Sequence, residues 1–127
     1  MAYGPAMRSH LLLVLIALAG CARPATVSGD DFARVIAGRT AGPAQSCVTS
    51  LINDGPRAVD SMTLAYGSGR TVYINRLGGS CPGLRDLSTI IIDQGSGRLC
   101  RGDRIRAIEP GSIIPGPSCN LGDWVPY

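Results

Sequence analysis

From residue 47 onward, apolar positions recur at every second residue in short runs, and clusters of Gly, Pro, Asn and Asp separate the runs. A period of two predicts β-strands bounded by turns. Residues 47–52 (CVTSLI) form the first run, and Asn53-Asp54-Gly55-Pro56 ends it. Residues 59–66 (VDSMTLAY) predict one strand with Met62, Leu64 and Tyr66 on a shared face. Gly67-Ser68-Gly69 closes a hairpin with residues 71–77 (TVYINRL), which sets Tyr66 and Tyr73 across from each other. Residues 78–83 (GGSCPG) make a turn, 87–93 (LSTIIID) the most apolar strand, 94–97 (QGSG) another turn, and 99–109 a last strand around Ile105 and Ile108. Residues 110–120 hold three Pro and two Gly and predict an irregular loop, after which Trp124 is expected to pack on the core. The expected class is all-β, a small antiparallel barrel or sandwich of about five strands.

Before residue 46 the pattern changes. Residues 22–45 are rich in Ala, Gly, Pro, Thr and Ser and read as a tether. Within them residues 28–37 (SGDDFARVIA) predict one short helix: Ser28 caps it, Asp30 and Asp31 suit its first turn, and Gly38 ends it. Phe32, Val35 and Ile36 would share one face and pack on the domain.

The first 21 residues follow the pattern of an export signal. Arg8 and His10 precede a nine-residue apolar run, residues 11–19 (LLLVLIALA). As a helix such a run spans about 14 Å, half of the bilayer's hydrocarbon, so it suits a cleaved signal better than a stable anchor. Met7 is an alternative start, since a complete signal follows it. Leu18-Ala19-Gly20-Cys21 resembles the lipobox of bacterial lipoproteins. The resemblance implies cleavage before Cys21, diacylation of its sulfur and often acylation of its new amine with a palmitate-type chain. Two or more acyl chains anchor stably where one does so only marginally. Ala22, in place of the Asp that resembles an inner-membrane retention signal, implies the outer membrane, periplasmic face. Secretion into the periplasm without lipid is the alternative. The expected organisation is a signal peptide over 1–20, a lipidated Cys and tether over 21–45, and a small β domain over 46–127.

Export changes how the five cysteines are read. With Cys21 given to lipid, Cys47, Cys81, Cys100 and Cys119 remain, and an oxidising compartment predicts two disulfides. Four cysteines allow three pairings. Cys81–Cys100 nested inside Cys47–Cys119 is the favoured expectation, with the others open. A metal site is disfavoured, because successive cysteines stand 34, 19 and 19 positions apart without a close pair.

Composition narrows the chemistry further. All twelve basic residues are Arg, and the single His, His10, lies in the signal. The mature chain therefore lacks His and Lys, which removes His-based triads, His zinc sites and Schiff-base lysines. The net charge of +3 is mild and the acidic residues are interspersed, which argues against a nucleic-acid partner.

Four blocks stand together in the second half: Cys47 opening a strand, Cys81-Pro82-Gly83-Leu84, residues 99–105 (LCRGDRI) and residues 118–124 (SCNLGDW). Their spacing over residues 45–127 resembles a family of small, uncharacterised proteobacterial exported proteins, classed as a domain of unknown function. CPGL and LCxGD are its most specific parts, and Trp124 stands where the family commonly has Phe. The resemblance implies a domain boundary and disulfides, and carries no activity.

Candidate sites are few. Arg98, Arg101, Arg104 and Arg106 lie within nine residues, and Arg104 and Arg106 would share a strand face. Such a face could hold an anion, a lipid head group or a peptidoglycan carboxylate. A solvated strand face is the plainer expectation. Arg101-Gly102-Asp103 spells an integrin-type tripeptide but sits beside Cys100, as a structural turn would. Asp86, Asp93, Asp103 and Asp123 could pair as the acid and base of a carboxylate-only hydrolase, but most flank turns, where Asp has ordinary local uses. Tyr66 and Tyr73 are expected to be cross-strand packing, with sugar binding as the alternative. The pattern implies no catalytic residue, no cofactor and no metal. The expected function is a lipid-anchored periplasmic binding or structural module whose partner is an envelope protein, peptidoglycan or lipid head group. An inhibitor of an envelope-directed enzyme such as lysozyme is the alternative, and a hydrolase is less favoured.

Overall fold

A computed structural model of the chain describes residues 29–50, 55–93 and 97–127. The signal segment, Cys21, the first part of the tether with Ser28, and residues 51–54 and 94–96 of the expected strand and turns lie outside them. The described chain is mostly β-sheet: α1 (Gly29–Val35), β1 (Cys47–Thr49), β2 (Arg57–Asp60), β3 (Thr63–Tyr66), β4 (Tyr73–Arg76), β5 (Thr89–Asp93), β6 (Arg98–Cys100), β7 (Arg104–Ile108), β8 (Cys119–Asn120) and β9 (Trp124–Pro126). These nine strands pair antiparallel in three sheets, β1-β6, β2-β3-β4-β9 and β5-β7-β8. The class is all-β and sandwich-like, without closure into a barrel.

The four-stranded sheet is covered on both faces. On one, Leu64, Tyr66 and Trp124 pack against Val48, Leu99, Ile105 and Ala107 of the two smaller sheets. On the other, Val59, Ala65, Val72 and Ile74 are covered by Phe32, Val35 and Ile36 of the α1 segment and by Tyr127. All four residues of β3 are consequently buried, as expected of a strand with no solvent face. The helix thus packs on the domain. Residues that read as tether do so too, since Gly42 N–H donates to the Pro126 carbonyl at 2.7 Å and the Gln45 backbone pairs with Trp124. The folded unit therefore begins before residue 46, at Gly29 among the described residues. Composition hid this because small residues are what lets that segment lie flat on β9: a Cβ at Gly42 would stand 3.0 Å from Pro126 Cγ.

Two expected strands are each broken into two, the first as the β2–β3 hairpin and the second into β6 and β7 of different sheets. Residues 59–66 break at Ser61-Met62, where the Asp60 carboxylate accepts the Met62 N–H at 2.7 Å and β2 folds back on β3. Met62 consequently sits in a turn and not on the face of Leu64 and Tyr66. Residues 99–109 break at Gly102, whose φ of 89° suits glycine, while the Asp103 carboxylate accepts the Cys100 N–H at 2.7 Å. The 67–69 turn does join β3 to β4 and sets Tyr66 opposite Tyr73.

Two disulfides form, Cys47–Cys100 and Cys81–Cys119. The bridges interlace and are not nested. Strand register decides it. The Arg101 N–H bonds to the Ser46 carbonyl and the Ser50 N–H to the Gly97 carbonyl, so Cys47 and Cys100 face each other as a non-hydrogen-bonded pair. Their Cα atoms stand 4.0 Å apart, the close spacing typical of such pairs.

A polar tie joins β4 to the segment before β9. Fully buried Asn75 donates to the Gly122 carbonyl and accepts the Gly122 N–H, both at 2.8 Å. A Cβ at Gly122 would strike the Arg76 carbonyl oxygen. Gly122→Ala is expected to cost about 2–3 kcal/mol, since strand and tie must separate together. A chemical denaturation midpoint equal to that of the parent would show that the approach is not needed.

Candidate functional site

A groove of about 600 Å³ lies between β1 and the tip of the β3–β4 hairpin. One wall is the edge of β1. Because residues 46, 48 and 50 direct their peptide groups to β6, those of Cys47 and Thr49 turn the other way, toward the groove. The Thr49 carbonyl accepts the Tyr66 hydroxyl at 3.1 Å. The opposite wall carries Ser68, Thr71 and Tyr73, and Arg98 of β6 joins the lining. Tyr66 is nearly fully buried, with its ring 6.1 Å from that of Trp124 and 6.5 Å from that of Tyr73. Tyr66 is thus the packed member of the tyrosine pair, and half-buried Tyr73 presents the accessible ring surface. Hairpin pairing sets both rings, and the Gly67 and Gly69 turn, each with φ above 80°, brings Ser68 and Thr71 beside them.

The hairpin tip is held from outside. The Arg39 guanidinium donates to the carbonyls of Gly69 at 2.7 Å and Arg70 at 3.0 Å. Arg57 donates to the Gly67 carbonyl at 3.0 Å. Three carbonyls of the turn therefore have guanidinium partners, which fixes this wall of the groove.

The four clustered arginines are all exposed but divide among separate settings. Arg98 lines the groove. Arg101 pairs with Asp123 at 3.2 Å. Arg104 and Arg106 do share the outward face of β7, where Arg104 stands opposite Asp93 and Asn120 and Arg106 donates weakly to the Ser118 hydroxyl at 3.4 Å. Arg101-Gly102-Asp103 is a turn whose Asp103 carboxylate is committed to the backbone of Cys100. Asp123 is held by Arg101, and Asp93 stands at the end of β5. Among the described residues no group of three or more His, Cys, Asp or Glu side chains is placed to hold a metal ion.

The groove therefore offers hydroxyl and amide groups, strand-edge backbone groups, an aromatic ring and one guanidinium. These are means of holding a polar or anionic ligand. The spacing of the sequence pointed to Tyr66, Tyr73 and Arg98. Gln45, Thr49, Ser68 and Thr71 carry no signal of their own and enter only because β1 and the hairpin tip meet. No family model, curated protein or solved structure matches the chain.

Proposed function

We propose that this chain is a lipid-anchored periplasmic binding module of the bacterial cell envelope, which holds a polar, carboxylate-bearing envelope ligand in the groove beside β1. The observation that carries this reading is the combination of Tyr73, Thr49, Ser68, Thr71 and Arg98 around one groove. Sugar rings favour an aromatic face, carboxylates favour a guanidinium, and peptides favour an open strand edge. Peptidoglycan fragments contain all three partners. The anchor rests on residues 18–21 and the even number of remaining cysteines.

Soluble peptidoglycan fragments titrated into isotope-labelled protein should give saturable shifts at Tyr73 and Arg98. Arg98→Ala should weaken binding by about tenfold or more, the scale of a lost hydrogen bond to a charged group. Tyr73→Ala should weaken it as well while leaving the fold in place. Shifts that never saturate, or that persist unchanged in Arg98→Ala, would remove the groove from the reading. The anchor is tested separately by the intact mass of protein extracted from its native membrane. Residues 21–127 plus acyl groups are expected, with two disulfides that disappear on reduction.

A further inference from the structure

Four large hydrophobic side chains are exposed among the described residues: Met62 at 44 %, Leu87 at 82 %, Ile113 at 90 % and Ile114 at 75 %. All four lie in turns at the end of the molecule away from the groove. Met62 sits in the β2–β3 turn, whose Ser61 carbonyl accepts the Cys81 N–H at 2.8 Å. The chain then runs through Pro82 and Gly83 to the turn that carries Leu87. The loop with Ile113 and Ile114 backs onto the same place: a Cβ at Gly116 would lie 2.9 Å from the Pro82 carbonyl oxygen and 3.3 Å from that of Ala107. Strand β3 leads from the Met62 turn to the hairpin tip, so apolar turns and groove occupy its opposite ends.

The apolar end is built to be held still. Residues 110–118 include three prolines and no charge. The loop is closed by Ser112 N–H to the Glu109 carbonyl at 2.9 Å, Gly116 N–H to the Ala107 carbonyl at 2.8 Å, and the disulfide at Cys119. Leu87 keeps a φ of 63°, rare for a branched aliphatic residue, with its side chain outside. Two ion pairs nearby neutralise their own charges, Arg85 on Glu109 at 3.2 Å and Arg34 on Asp31 at 3.0 Å, while the exposed Asp86 carboxylate stands beside Leu87. A rigid apolar tip loses little conformational freedom on insertion, and paired charges at its rim need not be stripped singly.

The position of the N-terminal segment identifies what covers this end. The Arg76 guanidinium lies 4.5 Å over the Phe32 ring, and Arg76 stands opposite Thr63, next to the Met62 turn. Asp31 and Arg34 line a shallow depression along β2 with Arg57 and with Asp86, the neighbour of Leu87. The first turn of α1 therefore starts at the apolar end, whereas Arg39 beyond it reaches the hairpin tip. From Cys21 to Gly29 the chain can reach at most about 28 Å. We infer that Leu87, Ile113 and Ile114 form a membrane-docking face that rests on the lipid surface and turns the groove away from it. This rests on the proposed acylation of Cys21, which would bring that surface to this end.

The test uses the full mature chain in two forms, acylated and Cys21→Ala, each carrying Ile113→Trp. The probe is a vesicle of phosphatidylethanolamine and phosphatidylglycerol with brominated acyl chains. The native Trp124 is fully buried and serves as the silent reference. The indole at position 113 should shift to the blue and be quenched by bromine in the acylated form. In the Cys21→Ala form, adding Leu87→Asp or Ile114→Asp should weaken vesicle binding by about tenfold. Near-ultraviolet circular dichroism checks that these exposed positions leave the fold intact. An acylated chain, proven by mass, whose indole stays water-exposed would overturn the docking face and leave the anchor standing. A native mass without acyl groups would remove the anchor. Vesicle titration of the Cys21→Ala form then decides the face alone, quenching retaining it and no quenching removing it.

Discussion

Replacing Cys81 and Cys119 together with alanine should lower the stability of the domain by about 4 kcal/mol. The bridge closes a loop with a sequence separation of 38, and opening it restores that freedom to the unfolded chain. The folded side loses as well. Cys81 is 1 % exposed and part of the main core, and β8 is otherwise held to β7 by only two residue pairs. The loss is a large fraction of what a domain of this size has to spare. Denaturant unfolding of the oxidised double variant against the parent measures it. A difference below about 1 kcal/mol would mean that β8 and the 110–118 loop are held by packing and not by the bridge.

Trp124→Ala is expected to be about as damaging, at about 3–5 kcal/mol. The side chain is fully buried where all three sheets contribute to the core. Its strand is paired with β4 on one side and bridged to Gln45 on the other, so the walls of the resulting cavity cannot close in. Trp124→Phe should cost much less. The indole Nε1 has no hydrogen-bond acceptor among the described residues, so the ring can shrink without orphaning a partner, and the edge contact with Tyr66 survives. Thermal unfolding of both variants provides the comparison. Equal losses would mean that the contribution of Trp124 lies in its outer ring alone.

What was legible in the sequence was what short-range chemistry decides. The glycines at 67 and 69 announced the β3–β4 hairpin, and with it the Tyr66–Tyr73 pair that leads to the groove. The amphipathic face of Phe32, Val35 and Ile36 announced a packed helix. Asp60 escaped notice because it ends a strand by taking a backbone N–H two residues away, while β-branched and apolar residues around it disguise the break. The sequence signals the turn at Arg101-Gly102-Asp103, but not that it divides residues 99–109. The burial of every β3 residue blurred the alternation there, since a strand covered on both faces needs no polar side. Cysteine pairing was not legible, because it depends on β1 lying beside β6, a long-range register that loop lengths do not encode. The same holds for the groove, whose two walls are brought together only by the fold.

Interlacing has a consequence for biogenesis. In a chain delivered N-terminus first, as export would deliver it, Cys47 and Cys81 emerge before either native partner. The first oxidation open to them would join the wrong pair. Native Cys47–Cys100 and Cys81–Cys119 bonds then require that bond to be exchanged, or oxidation to wait until β6 has docked on β1. On the first route such a chain needs a thiol–disulfide shuffling partner as well as an oxidant, on the second the oxidant alone, as does a chain whose bridges join neighbouring cysteines.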